Sequence, residues 1–186
     1  MAAFLTAFIL IAIAELGDKT QLLTLALNSR YGARKVLQGS LMAILLLQLL
    51  AVAGGRILRN AFPEELIQLF VGVLFIGFAV WMLSNWHKGA REVKAAVLTP
   101  LVTVFVSFFL AELGDKTQLA TAALTARQGE QFKTWLGASL GMFAVTALTV
   151  FLGTRLQHLF PEKTVHLIGA LLFAAFGLLT LVQLLL

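Results

Sequence analysis

The chain has no cysteine. Disulfides, zinc–thiolate sites, iron–sulfur clusters and cysteine nucleophiles are therefore excluded, and redox chemistry says nothing about the compartment. Charge is scarce as well. Only 12% of the 186 residues are Asp, Glu, Lys or Arg, against about 25% in an ordinary soluble domain. Hydrophobic residues make up 60% of the chain, and the mean hydropathy is +0.93. A soluble domain of this size cannot hide so much apolar surface behind a polar skin. A soluble enzyme, a disordered tail and a nucleic-acid module are excluded on that ground. The net charge of +5 reads, in such a chain, as Lys and Arg anchoring loops on the cytoplasmic side. Residues Met1 to Ala14 carry no basic n-region, so they read as the start of a membrane helix and not as a cleaved signal peptide.

A spanning helix needs about 20 mainly apolar residues. Six segments meet that requirement, at roughly 2–27, 35–54, 64–84, 99–125, 134–153 and 163–185. The expected fold class is an all-α membrane protein. Short polar connections separate the segments, and the longest, between Asn85 and Leu98, carries His87, Lys88, Arg91, Glu92 and Lys94.

The chain also repeats itself. Glu15-Leu16-Gly17-Asp18-Lys19-Thr20-Gln21-Leu22 recurs without change as Glu112-Leu113-Gly114-Asp115-Lys116-Thr117-Gln118-Leu119, an offset of 97. Phe62-Pro63-Glu64 matches Phe160-Pro161-Glu162 at offset 98, and Phe75 and Phe78 match Phe173 and Phe176 at the same offset. An eight-residue identity with this many ionisable and amide side chains points to duplication. The expected organisation is a first three-helix repeat over 1–85, a cytoplasmic connecting loop over 86–98 and a second three-helix repeat over 99–186. Three is odd, so the second repeat enters the membrane from the opposite side. Six helices arranged as a 3+3 inverted repeat, a plan common among secondary transporters, are expected. Eight Lys and Arg fall in the connections after helices one, three and five, and four on the other side. That bias places the central loop in the cytoplasm and both termini outside.

Five of the nine acidic residues sit in connections or at helix ends. Glu15, Asp18, Glu112 and Asp115 do not; they fall near the middle of helices one and four. A charge at that depth costs about 2.5–3.5 kcal/mol on insertion scales, so four of them mark a functional site. On a helix, Glu15 and Asp18 at i and i+3 share one face, and Gln21 extends it. Gly17 and Gly114 are candidate hinges, since glycine permits a kink or local unwinding. Thr20, Gln21, Thr117 and Gln118 add neutral oxygens, and Ser40 and Ser139 are further candidate ligands. No His, Cys or Met lies in either motif, so hard cations such as Ca²⁺, Mn²⁺ and Mg²⁺ fit better than Cu⁺ or Zn²⁺. Four carboxylates with Lys19 and Lys116 sum to −2, which one divalent cation or two protons would neutralise. Each Lys directly follows its Asp and is expected to point away from the acidic face, tuning charge.

The doubled E-x-G-D-[KR]-[ST] pattern, one copy in each three-helix half, resembles the Gdt-type cation/proton antiporter family, which includes bacterial manganese exporters and Golgi and chloroplast Mn²⁺/Ca²⁺ transporters. The resemblance covers nearly the whole chain. It implies export of Mn²⁺ or Ca²⁺ from the cytoplasm in exchange for protons, in a bacterial inner membrane. It implies ion binding by Glu15, Asp18, Glu112 and Asp115, no catalytic residues and no prosthetic group. The expected partners are the divalent cation and membrane lipid, with no nucleic acid.

Other readings stay open at this point. A passive divalent-cation channel would also use acidic side chains, and an exporter of a small cationic organic solute would suit the four acids. Gly137-Ala138-Ser139-Leu140-Gly141 matches G-x-S-x-G, but small residues are the usual packing surface of membrane helices. Mn²⁺ versus Ca²⁺, H⁺ versus Na⁺, oligomeric state and the roles of Gln48, Thr146 and His166 are left undecided by the sequence.

Overall fold

The computed structural model describes residues 1–84, 99–153 and 162–185. The expected connecting loop at 86–98 lies outside the described residues. Eight helices are described: α1 (Ala2–Glu15), α2 (Lys19–Tyr31), α3 (Ala33–Ala61), α4 (Glu64–Ser84), α5 (Pro100–Glu112), α6 (Lys116–Gln128), α7 (Gln131–Leu152) and α8 (Glu162–Leu185). No strand is present among the described residues. Four helices are long and apolar enough to cross a membrane: α3, α4, α7 and the Leu167–Leu184 stretch of α8. The fold class is that of an all-α membrane protein.

The segments 2–27 and 99–125 are not continuous helices, which corrects the reading of Glu15 and Asp18 as neighbours on one helical face. Each segment breaks at its Leu-Gly-Asp. Glu15 ends α1 and Glu112 ends α5, while Asp18 and Asp115 stand at the N-caps of α2 and α6. The break is made by glycine. Gly17 and Gly114 adopt φ of 72° and 76°, a left-handed conformation that side chains with a Cβ resist. With 14 and 13 residues, α1 and α5 are each about 20 Å long at 1.5 Å per residue, short of a hydrocarbon core of about 30 Å.

The broken pairs run alongside long helices. Gly39 of α3 abuts Leu101 and Val104 of α5. Further along α3, the Leu47 carbonyl accepts a hydrogen bond from Gln118, Gly55 abuts Ala122 and Thr125, and Arg59 donates to the carbonyls of Ala126 and Arg127. The contacts advance together, so α5 and then α6 follow α3 in the same direction. α1 and then α2 follow α7 in the same way. Gly137 abuts Phe4, Gly141 abuts Phe8 and Ala12, and Asn28 of α2 donates to the Val150 carbonyl at 3.2 Å.

α4 and α8 pack on each other through glycine and phenylalanine. Gly72 and Gly177 face one another's helix. Phe75 stacks on Phe173 at 5.4 Å between ring centroids. Phe75 also meets Phe176, and Phe78 meets Phe173. The swapped pairs are the two phenylalanines matched at offset 98 in the sequence, contacting each other reciprocally as in a self-complementary interface.

The glycines of the G-x-S-x-G stretch are thus packing residues. A Cβ on Gly137 would overlap the Phe4 carbonyl, and one on Gly141 would lie 2.6 Å from that of Phe8. Backbone cannot yield as a flexible side chain does. Gly141→Leu is expected to destabilise by at least the 1–3 kcal/mol typical of overpacking. Gly54→Ala, at a position with open space around it, should be neutral or slightly stabilising, since alanine favours helix. Thermal midpoints of the two variants in detergent check this; equal midpoints would contradict the packing account.

Candidate functional site

Where α1 ends beside the start of α6, the two breaks meet. Glu15, Asp18 and Glu112 each offer a carboxylate oxygen, and these oxygens lie within 4.8 Å of one another. Glu15 and Glu112 are almost fully buried, at 2% and 1% exposure. Three carboxylates from both copies of the motif therefore share one spot, although 97 residues separate the motifs along the chain.

The first-turn threonines reach back across each break. Thr20 donates to Glu15 Oε1 at 2.5 Å, and Thr117 donates to Glu112 Oε2 at 3.5 Å. These bonds hold one oxygen of each glutamate. The other oxygens, Glu15 Oε2 and Glu112 Oε1, are buried and have no hydrogen-bond partner. A buried carboxylate oxygen without a partner is costly. Two of them beside a third carboxylate form a site that a cation or protons would complete. The negative, C-terminal dipole ends of α1 and α5 face the breaks at Glu15 and Glu112, and the positive, N-terminal ends of α2 and α6 face them at Asp18 and Asp115.

Lys116 differs from expectation. It does not turn away from the acids: its Nζ lies 2.6 Å from Asp18 Oδ1 and 3.3 Å from Asp115 Oδ2, and its side chain is 4% exposed. The Trp81 ring centroid stands 5.8 Å from Nζ, within cation–π range. The expectation assumed a continuous helix, in which adjacent residues diverge. Because α6 starts at Lys116, the side chain leaves a helix N-terminus beside the break and folds back over it. The side chain of Lys19 lies outside the described residues.

The supporting residues divide. Thr20 and Thr117 are buried and bonded to the glutamates. Gln21 is buried. Gln118 is taken up by backbone: its Oε1 accepts from Gly114 N at 2.6 Å, and its Nε2 donates to the Leu47 carbonyl at 3.3 Å. It ties the second break to the middle of α3. Ser40 donates to the Leu37 carbonyl, whereas Ser139 Oγ is buried without a partner. Gln48 and Met142 meet where α3 and α7 cross, with Gln48 Nε2 3.6 Å from Met142 Sδ. The polarity of Gln48 within an apolar helix was visible in the sequence; its position at that crossing was not. The side chain of His166 lies outside the described residues.

All-helical, strongly apolar and holding buried carboxylates at broken helices, the chain has the makings of a membrane transporter. It matches the family described as "Divalent cation/proton antiporter GDT1" over residues 3–90 and 100–185, and it belongs to that family, which is one of transporters and not of enzymes. The "Putative manganese exporter" of Vibrio cholerae is 33% identical over 175 residues, covering 91% of this chain and 86% of its own. "GDT1-like protein sll0615" of a Synechocystis species is 31% identical, covering 97% of each chain. "GDT1-like protein 2, chloroplastic" of rice is 32% identical and covers 96% of this chain and 60% of its own. No solved structure matches this chain.

Proposed function

We propose that this protein exports a divalent cation, Mn²⁺ ahead of Ca²⁺, from the cytoplasm of a bacterium in exchange for protons. The observation that carries the reading is the meeting of Glu15, Asp18 and Glu112 within 4.8 Å at two helix breaks, with one oxygen of each glutamate left unpartnered. All-oxygen ligands suit a hard cation. Mn²⁺ is placed first on the name of the Vibrio cholerae relative, and proton exchange on the description of the family.

In this reading Glu15, Asp18, Glu112 and Asp115 form one ion site, Lys116 and Lys19 set its net charge, and Gly17 and Gly114 are its hinges. The chain crosses the membrane six times as a 3+3 inverted repeat, with α1–α2 and α5–α6 each forming one broken crossing. The halves are 1–85 and 99–186. The loop between them faces the cytoplasm, and both termini face outward, following the bias of Lys and Arg. Deprotonated acids take the cation on the cytoplasmic side. Protons displace it on the more acidic outer side, so the proton gradient sets the direction.

Proteoliposomes loaded with a metal-sensitive dye test this. Under an imposed pH gradient, Mn²⁺ is expected to accumulate against its own gradient, Ca²⁺ to move more slowly, and Mg²⁺ least. An uncoupler should abolish accumulation. Metal entry that never exceeds equilibrium, with or without the pH gradient, would instead indicate a channel.

A further inference from the structure

Gln48 sits in mid-α3, is 1% exposed, and its amide oxygen has no hydrogen-bond partner. Its amide nitrogen meets only the weak acceptor Met142 Sδ, at 3.6 Å. The ordinary reason for a glutamine inside a membrane helix is an interhelical hydrogen bond; here the amide N–H makes one, to a weak sulfur acceptor, and the amide oxygen makes none. A buried polar atom left open in this way calls for a ligand or another explanation.

Its depth in the bundle is that of the carboxylates. Gly39 of α3 abuts Leu101 and Val104, and α3 and α5 run in the same direction. Gln48 lies nine residues beyond Gly39, and nine residues beyond 101–104 is 110–113, the stretch holding Glu112. A second line fixes the same level. The residue before it, Leu47, accepts a hydrogen bond from Gln118, whose Oε1 in turn accepts from Gly114 N in the second break. On its other side, Gln48 touches Met142, and Met142 adjoins Gly141, which seats against Ala12 in the last turn of α1 before Glu15. Gln48 thus lies at the level at which α5 ends in Glu112, on the side of α3 that meets α7, the helix against which α1 packs.

We propose that Gln48 is a specificity-determining residue of the transport site, its Oε1 serving as a neutral ligand to the cation held by Glu15, Asp18 and Glu112. This rests on the ion-site reading given above. The chemistry favours an amide here. Hard divalent cations take six or more oxygens, and the four motif carboxylates, offset by Lys19 and Lys116, already sum to the −2 that one cation neutralises. A further carboxylate would deepen the trap and slow release. An amide oxygen fills a coordination position and adds no charge.

The test compares the full-length protein with Gln48→Leu and Gln48→Glu, using Mn²⁺ and Ca²⁺ separately. Binding is measured by titration calorimetry in detergent, and transport in proteoliposomes. Gln48→Leu keeps the volume and removes the oxygen; it is expected to weaken Mn²⁺ binding at least tenfold and to change the Mn²⁺:Ca²⁺ ratio. Gln48→Glu restores an oxygen with charge; it is expected to bind Mn²⁺ as tightly as the wild type or more so, with slower turnover. Wild-type affinity and ion ratio in Gln48→Leu would overturn the proposal. So would equal loss of binding in both variants, which would mark a packing role. If Gln48→Leu fails to fold, the Gln48→Glu arm decides: weakened binding overturns the proposal, while retained binding with slowed turnover supports it. Glu112→Gln is the control for the site itself. Undiminished metal binding in that variant would sink the ion-site reading, and this inference with it, whatever Gln48 does.

Discussion

Glu15→Gln and Glu112→Gln are each expected to abolish most metal transport, and the double variant is expected to be little worse than either one. The two side chains stand at the ends of different helices, yet they offer oxygens to one spot within 4.8 Å. Groups that act as one unit lose function together, so their losses do not add. Gln keeps the size and one oxygen of each side chain and removes the charge, so the loss reports on charge and not on packing. Dye-reported Mn²⁺ transport by the three variants, normalised to folded protein, measures it. If each single variant kept half the wild-type rate and the double a quarter, the two glutamates would be acting independently and the shared site would be wrong.

The second large effect concerns protons. If metal and protons compete for the same carboxylates, each metal ion bound releases protons, and apparent Mn²⁺ affinity weakens as pH falls. The sign is fixed by the competition: acid favours the protonated acids, which do not hold the metal, and alkali favours the carboxylates, which do. Addition of Mn²⁺ to one side of vesicles should drive proton counter-movement, visible with a trapped pH dye. Asp18→Asn and Asp115→Asn should eliminate it. Both aspartates also face Lys116, at 2.6 and 3.3 Å, so removing either charge leaves the buried ammonium with one partner fewer. The added cationic excess opposes metal binding further. Mn²⁺ flux with no proton movement, and affinity flat from acidic to neutral pH, would contradict exchange.

The acids were legible in the sequence because charge inside an apolar run is expensive, and Glu15, Asp18, Glu112 and Asp115 had no loop to belong to. The duplication was legible because the same eight residues return at offset 97. Gly17 and Gly114 suggested a kink, but not that the helix stops and restarts, since glycine permits a left-handed turn without demanding one. The direction of Lys116 was hidden for the same reason: on a continuous helix it would diverge from Asp115, but α5 ends at Glu112 and α6 starts at Lys116. Gln118 looked like a ligand by its place beside the acids, and its amide is instead occupied by the backbone of Gly114 and Leu47.

Composition, period and repetition are properties of the chain read in order, and they determined that this is an all-helical membrane protein and that one eight-residue acidic motif occurs twice in it; the ion site proposed above is built on that motif. The family resemblance followed from that motif. Which long helix each broken pair follows, that Lys116 bridges Asp18 and Asp115, and that Gln118 ties the second break to Leu47, beside Gln48, were decided only in three dimensions. Those facts depend on how close two backbones approach, through Gly39 on α5, Gly55 on α6 and Gly137 and Gly141 on α1. A glycine in a membrane helix announces that something packs near; it does not say which helix, because any backbone would fit the space it leaves.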